Sequence, residues 1–234
     1  MKHLLMAVFA AGLLANFSSY GQSNSCSKYY STVKGAKFTY TNYDRNDKKQ
    51  GAISLEVVKV ENKGDKTEAK MKMRLLNKKG KETNNMEYGF VCEGDVVKID
   101  YKSLMPADMI NQMGVTGEVK FSGTDIELPN DLKVGQELAD ARVNMNIDMG
   151  VTSMTFNVET LDRKIEKKEK ITTSAGTFDC FLLTENHVLT MPMGGDQNSK
   201  SETWIAEGIG MVKQVTYGRH GDVDMTSELT DYSQ

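Results

Sequence analysis

Residues 69–75 read Ala69-Lys70-Met71-Lys72-Met73-Arg74-Leu75. Apolar and cationic side chains alternate with period two. A β-strand sends successive side chains to opposite faces, so Ala69, Met71, Met73 and Leu75 share a dry face. Lys70, Lys72 and Arg74 share the wet one. Runs of this kind recur on both sides. Strands are expected over 36–43, 51–61, 66–77, 83–92 and 96–101, and again over 117–122, 124–128, 141–150, 151–168 (continuing toward 172), 177–191, 201–206, 211–217 and 223–232. Polar breaks separate them, such as Asn62-Lys63-Gly64-Asp65, Lys78-Lys79-Gly80-Lys81 and Met193-Gly194-Gly195-Asp196. Connections this short favour antiparallel neighbours, because a parallel pair needs a long crossover. Short strands at regular spacing suggest a sandwich or barrel. Three prolines in 234 residues suit that class, since proline removes a ladder donor.

One short helix is expected at 106–114. Pro106 is tolerated in a first turn, and Asp108 sits favourably near the N-terminus. Met109 and Met113 share a face, and Gly114 ends the run.

The N-terminus has the form of a signal peptide. Lys2 and His3 precede an apolar run over 4–15, within the usual length of about 7–15 residues. That run is too short to span a bilayer, which takes about 20 residues. Ser19 and Gly21 supply small residues at −3 and −1, so cleavage is placed after Gly21. The division is therefore a leader over 1–21 and a single β-rich domain over 22–234. The mature chain is expected in the periplasm, at the outer membrane or secreted. Cys26 is a poor lipidation site: Ser23-Asn24-Ser25 does not match Leu-x-Gly/Ala before the cysteine, and the apolar run ends well upstream. No later segment is apolar enough to form a transmembrane span.

Formal charge is −3, from 29 basic and 32 acidic residues, and loss of Lys2 takes it to −4. No basic face invites nucleic acid. Three cysteines, Cys26, Cys92 and Cys180, allow three pairings, which sequence does not choose between. Cys26 with Cys92 is the preferred pair. Cys180 lies in an apolar strand, where a free thiol packs as a small hydrophobe. Neither CxxC spacing nor a histidine cluster points to a metal.

Catalytic signatures are missing too. There is no G-x-S-x-G elbow, no phosphate-binding glycine loop and no H-E-x-x-H. His187 and His220 have no recognisable catalytic context and read as surface residues. Glu159 and Asp162 are three apart, so a strand sends them to opposite faces. Asp222 and Asp224 share a face but adjoin an exposed turn. No catalytic residue and no cofactor is expected.

Methionine is the odd abundance, with 15 in the chain. Its simplest role is to fill irregular apolar space. Its flexible thioether also suits adaptable apolar binding surfaces. The candidate ligand-lining residues are Met71, Met73, Met145, Met149, Met154, Phe156 and Trp204.

Ile171-Thr172-Thr173-Ser174-Ala175-Gly176-Thr177-Phe178-Asp179-Cys180 resembles the TTPAGTF-x-C hairpin of the TapB-like family of exported Bacteroidetes proteins, with Ser174 where the family commonly has proline. Gly35 with 38–44, Leu128-Pro129 with 132–138, and 204–213 are similar to that family's other motifs. The resemblance covers nearly the whole mature chain. It implies a mostly antiparallel, strongly curved sheet, barrel-like or half-open, and export to the envelope. It supplies no catalytic residues.

The expected function is therefore an exported, non-catalytic envelope protein that binds an apolar small molecule or lipid within a curved β structure. One alternative is an interaction module that meets an envelope protein through exposed strand edges. The other is an enzyme of unknown class, which would need a pocket uniting His187 or His220 with a carboxylate.

Overall fold

The computed structural model describes residues 26–99, 118–148, 150, 152–192 and 195–234. The expected leader, the helix expected at 106–114 and Met149 lie outside the described residues.

Thirteen strands form one sheet. They are β1 Lys37–Asp44, β2 Lys49–Lys63, β3 Lys66–Asn77, β4 Glu82–Glu93, β5 Val96–Ile99, β6 Glu118–Gly123 and β7 Ile126–Pro129. After these come β8 Ala141–Asp148, β9 Ser153–Thr173, β10 Gly176–Met191, β11 Gly195–Ala206, β12 Gly210–Tyr217 and β13 Val223–Ser233. Every pairing is antiparallel, and the order is β6-β8-β9-β10-β11-β12-β13-β1-β2-β3-β4-β5-β7. The first and last strands are neighbours within the sheet.

The opening stretch lies in β3 as its parity demands. Ala69 and Met71 are buried, and Lys70 is exposed. On the wet face Arg74 donates to the Glu56 carboxylate across the β2 ladder at 2.9 Å. Gly51 is required where β2 passes β3, because a Cβ there would lie 2.3 Å from the Leu76 carbonyl oxygen.

The sheet bends until its two edges approach. β6 and β7 occupy opposite ends of the strand order, yet only two residues separate Gly123 from Ile126. Three peptide steps span at most about 11 Å, so the edges meet at that corner. The expected strong curvature is present. The sheet is not closed into a barrel, which corrects the closed alternative of the barrel-like reading: among the described residues no ladder joins β7 to β6 or β9. The physical reason is that the outer edge of β9 is already occupied. β8 takes 153–160 of β9, and the segment after β7 takes 163–165, with Gly135 N–H donating to Ile165 O at 2.7 Å and Leu138 N–H to Arg163 O at 2.8 Å. A side chain bridges the gap instead. Arg163 on β9 donates to Glu127 O on β7 at 3.0 Å, to Ala139 O at 2.8 Å and to the Glu185 carboxylate at 2.8 Å.

Most strand boundaries differ from expectation by a few residues, and two differences extend the long strands. β11 starts at Gly195, where a turn was expected to run through Asp196, and β9 continues to Thr173. The register of β9 against β10 shifts at two places, between Leu182 and Leu183 and between Thr184 and Asn186.

The apolar interior has two parts. One joins Phe38, Tyr40, Val57, Met71, Phe90 and Leu229 from β1–β4 and β13. The other joins Leu128 of β7 with Ile165, Leu183 and Ile205 of β9–β11. Tyr30 packs against both. A third cluster lies on the other face of β10 and β11, where Cys180, Leu182, Trp204 and Val215 bury one another. No helix among the described residues is long and apolar enough to cross a membrane.

Candidate functional site

Four consecutive strands present one apolar patch to the inside of the bend. Parity and register assemble it. Phe38 and Tyr40 on β1 face Leu55 and Ile53 on β2; Leu55 faces Met73, and Met71 faces Tyr88, two residues before Phe90. Over this patch lie Tyr30 and Ser31 and the β11–β12 hairpin with Ile209 and Met211. Between floor and cover is a cavity of about 210 Å³. Among the described residues its lining contains no charged side chain.

The cover is held by covalent and polar ties. Cys26 and Cys92 form a disulfide, the preferred pairing, which occupies the Cys26 sulfur. The Asn130 side chain accepts from Lys28 N–H at 2.8 Å and donates to Cys26 O at 2.6 Å. Gly208 N–H donates to Lys28 O at 2.7 Å, linking this segment to the β11–β12 hairpin. Ser27 Oγ accepts from Tyr30 N–H at 2.8 Å, and the Tyr30 ring lies 5.4 Å from that of Phe90.

Three tyrosines line the cavity: Tyr30, Tyr40 and Tyr88. Burial pushes the Tyr30 hydroxyl up to about 12, with the Glu185 charge adding to it. Burial also raises Tyr40 and Tyr88, and the neighbouring tyrosines add to both shifts. All three are neutral phenols at physiological pH.

The candidate lining residues separate in space. Met71 and Met73 line the cavity, together with Met211, which the sequence reading did not select. Met145 and Phe156 face each other across β8 and β9, next to the Ile147–Met154 pair. They form a separate group on the far wing of the sheet. Trp204 caps the third cluster and donates its indole N–H to Glu169 at 2.7 Å. That bond, with the Lys167 ammonium, holds the Glu169 carboxyl below its ordinary range. Methionine abundance carries no signal for Tyr30, Tyr40 and Tyr88. The same period-two reading of 38–40 and 86–90 would have placed Tyr40 and Tyr88 on the inner face. Cys180 is a free, buried thiol, pushed up to about 11 mainly by desolvation.

An open groove of about 670 Å³ lies where β11 extends past the end of β12. His187 shares it with Asp162 and Glu202. Each group is already engaged. The His187 ring nitrogens meet Thr160 Oγ1 at 3.3 Å and Ser201 Oγ at 2.9 Å. Asp162 accepts from the Asn186 amide at 2.8 Å, and Glu202 from the Tyr217 hydroxyl at 2.9 Å. Burial lowers the His187 pKa, favouring neutral imidazole. Ser201 is only 2% exposed, so the serine–histidine contact presents no accessible nucleophile. His220 is exposed in the β12–β13 turn.

The family model described as DUF3108-like matches residues 33–229. Two solved structures share the fold, each with a TM-score of 0.69. One is a Bacteroides fragilis protein assigned to export, with a YmcC-like fold; it is 16% identical, and the alignment covers 89% of this chain and 100% of that one. The other is a Parabacteroides distasonis protein assigned as a lipoprotein; it is 19% identical, and the alignment covers 88% of this chain and 99% of that one. Among curated proteins, none matches this sequence.

Proposed function

Because this chain belongs to the DUF3108-like family, and because its curved sheet encloses an apolar cavity, we propose that it is an exported, non-catalytic envelope protein that holds a small apolar molecule. Export rests on the leader at 1–21 and agrees with the assignments of the two fold relatives. Within the family, the hairpin at 171–180 supports a TapB-like membership. The cavity between Met71, Met73, Phe90 and the Tyr30 cover carries the ligand reading. Its size limits the guest. A dry cavity of about 150 Å³ accepts benzene, so about 210 Å³ suits a single ring or a short acyl segment and not a whole phospholipid. The flexible thioethers of Met71, Met73 and Met211 let the wall adapt to that guest. The engaged partners of His187 and the burial of Ser201 support a role without catalysis.

The test is solvent extraction of mature protein purified from its own envelope, followed by mass spectrometry. A molecule of this size recovered in near-stoichiometric amount is expected. Consistently empty protein, with no thermal shift in the presence of small apolar compounds, would sink the proposal.

One observation favours a second reading, docking of an envelope protein. Residues 195–199 of β11 pair with β10 but have no ladder partner on their other side among the described residues. An unpaired edge can accept an extended segment of another chain.

A further inference from the structure

The interior of the cavity is not uniformly apolar. Tyr40 and Tyr88 are 4% and 8% exposed, and Tyr30 reaches the cavity from the cover. Buried tyrosine hydroxyls usually find a hydrogen-bond partner. Here none of the three donates to, or accepts from, a protein group among the described residues, and none is sealed off from free space. Each hydroxyl therefore reaches free space without a protein partner among the described residues, at a cavity that all three residues line. All three line the same cavity, so they bring phenol hydroxyls to an otherwise largely apolar chamber.

We infer that the cavity selects a neutral molecule with an apolar body and an oxygen acceptor at one end, and that Tyr30, Tyr40 and Tyr88 determine this specificity. The acceptor takes its hydrogen bond from the hydroxyls, while Met71, Met73, Phe38 and Phe90 enclose the apolar body. A guest without oxygen leaves the donors unpaired, which costs free energy in a dry site. An anionic guest is disfavoured on a different ground: among the described residues no cation lines the cavity, and Arg163, whose charge reaches Tyr30, is paired with Glu185. Burying an unpaired charge is far more costly than burying a paired dipole.

This inference rests on the proposal that the cavity holds a ligand, and its test separates the two. Mature protein is titrated at pH 7.5, with NMR detection, using ethylbenzene, acetophenone and benzoate. These probes are similar in size and differ in the oxygen they carry. Acetophenone is expected to bind at least tenfold more tightly than ethylbenzene, with benzoate weaker than both. In Tyr40→Phe/Tyr88→Phe the preference for acetophenone should fall at least tenfold, while ethylbenzene affinity holds or rises. Should that variant fail to fold, the infrared carbonyl stretch of acetophenone bound to wild-type protein gives the same information. A shift to lower frequency supports donation from the tyrosines, and an unshifted band overturns it. Ethylbenzene binding as tightly as acetophenone overturns the inference and leaves the ligand proposal standing. No binding of any probe overturns both.

Discussion

Replacing Cys26 and Cys92 together with alanine is expected to destabilise the protein by about 4 kcal/mol. The bond joins residues 66 apart, and closing a loop of that length in the unfolded chain is worth about 4 kcal/mol on chain-entropy reasoning. In thermal melts this amounts to roughly 10 °C for a chain of this size. Loss should concentrate at the cover. Without the bond, the ties left to the segment at 26–33 include the Asn130 and Gly208 hydrogen bonds and the burial of Tyr29 and Tyr30. Denaturant unfolding of wild-type and double-alanine proteins, each with and without reductant, measures the effect. Reductant should bring wild-type to the level of the variant and leave the variant unmoved. Equal stability under oxidising conditions would show that the bond contributes nothing to the fold.

Arg163→Met is expected to cost about 3–5 kcal/mol, the usual penalty for stripping one partner from a buried ion pair. Arg163 is 2% exposed and Glu185 12% at the side chain. The substitution strands the Glu185 carboxylate and also removes the donor from Glu127 O and Ala139 O. Adding Glu185→Leu should recover a large part of the loss, because a well-packed apolar pair often matches a buried ion pair. The bridge from β9 to β7 would remain broken in the double variant. Amide exchange over 126–129 should therefore stay faster than in wild-type protein even where global stability returns. Exchange at the wild-type rate in the double variant would remove Arg163 from the role of bridging the open seam.

Much of the fold was legible because it rests on period-two patterning. The dry face of 69–75, the turns at Gly64 and Gly80, and the β9–β10 hairpin at Ser174-Ala175 all follow from local chemistry. The closing step does not. Nothing in 118–129 says that β6 and β7 take opposite ends of the strand order, since that depends on which edge β8 reaches. Nor does the sequence show that 135–138 occupies the edge of β9 that a closed barrel would need. Arg163 looks like one more cation on a lysine-rich strand, and only the bend reveals it as a bridge. The candidate site was half legible for the same reason. Parity placed Met71 and Met73 inward. It could not say that the wing bearing Met145, Met154 and Phe156 would be far from them. Tyr30 lies outside any strand pattern, and its position over Phe90 depends on a disulfide for which sequence left three pairings open.

The ligand proposal requires the bent sheet to enclose an apolar space open to a guest. A crystal of the mature protein pressurised with xenon tests it most directly, because xenon enters dry apolar cavities without needing a particular shape or hydrogen bond. Xenon density is expected between Met71, Met73, Phe90 and the Tyr30 ring, with little movement of the surrounding backbone. A site without xenon, with Met73 and Met211 folded into the space and touching the opposite wall, would contradict the account.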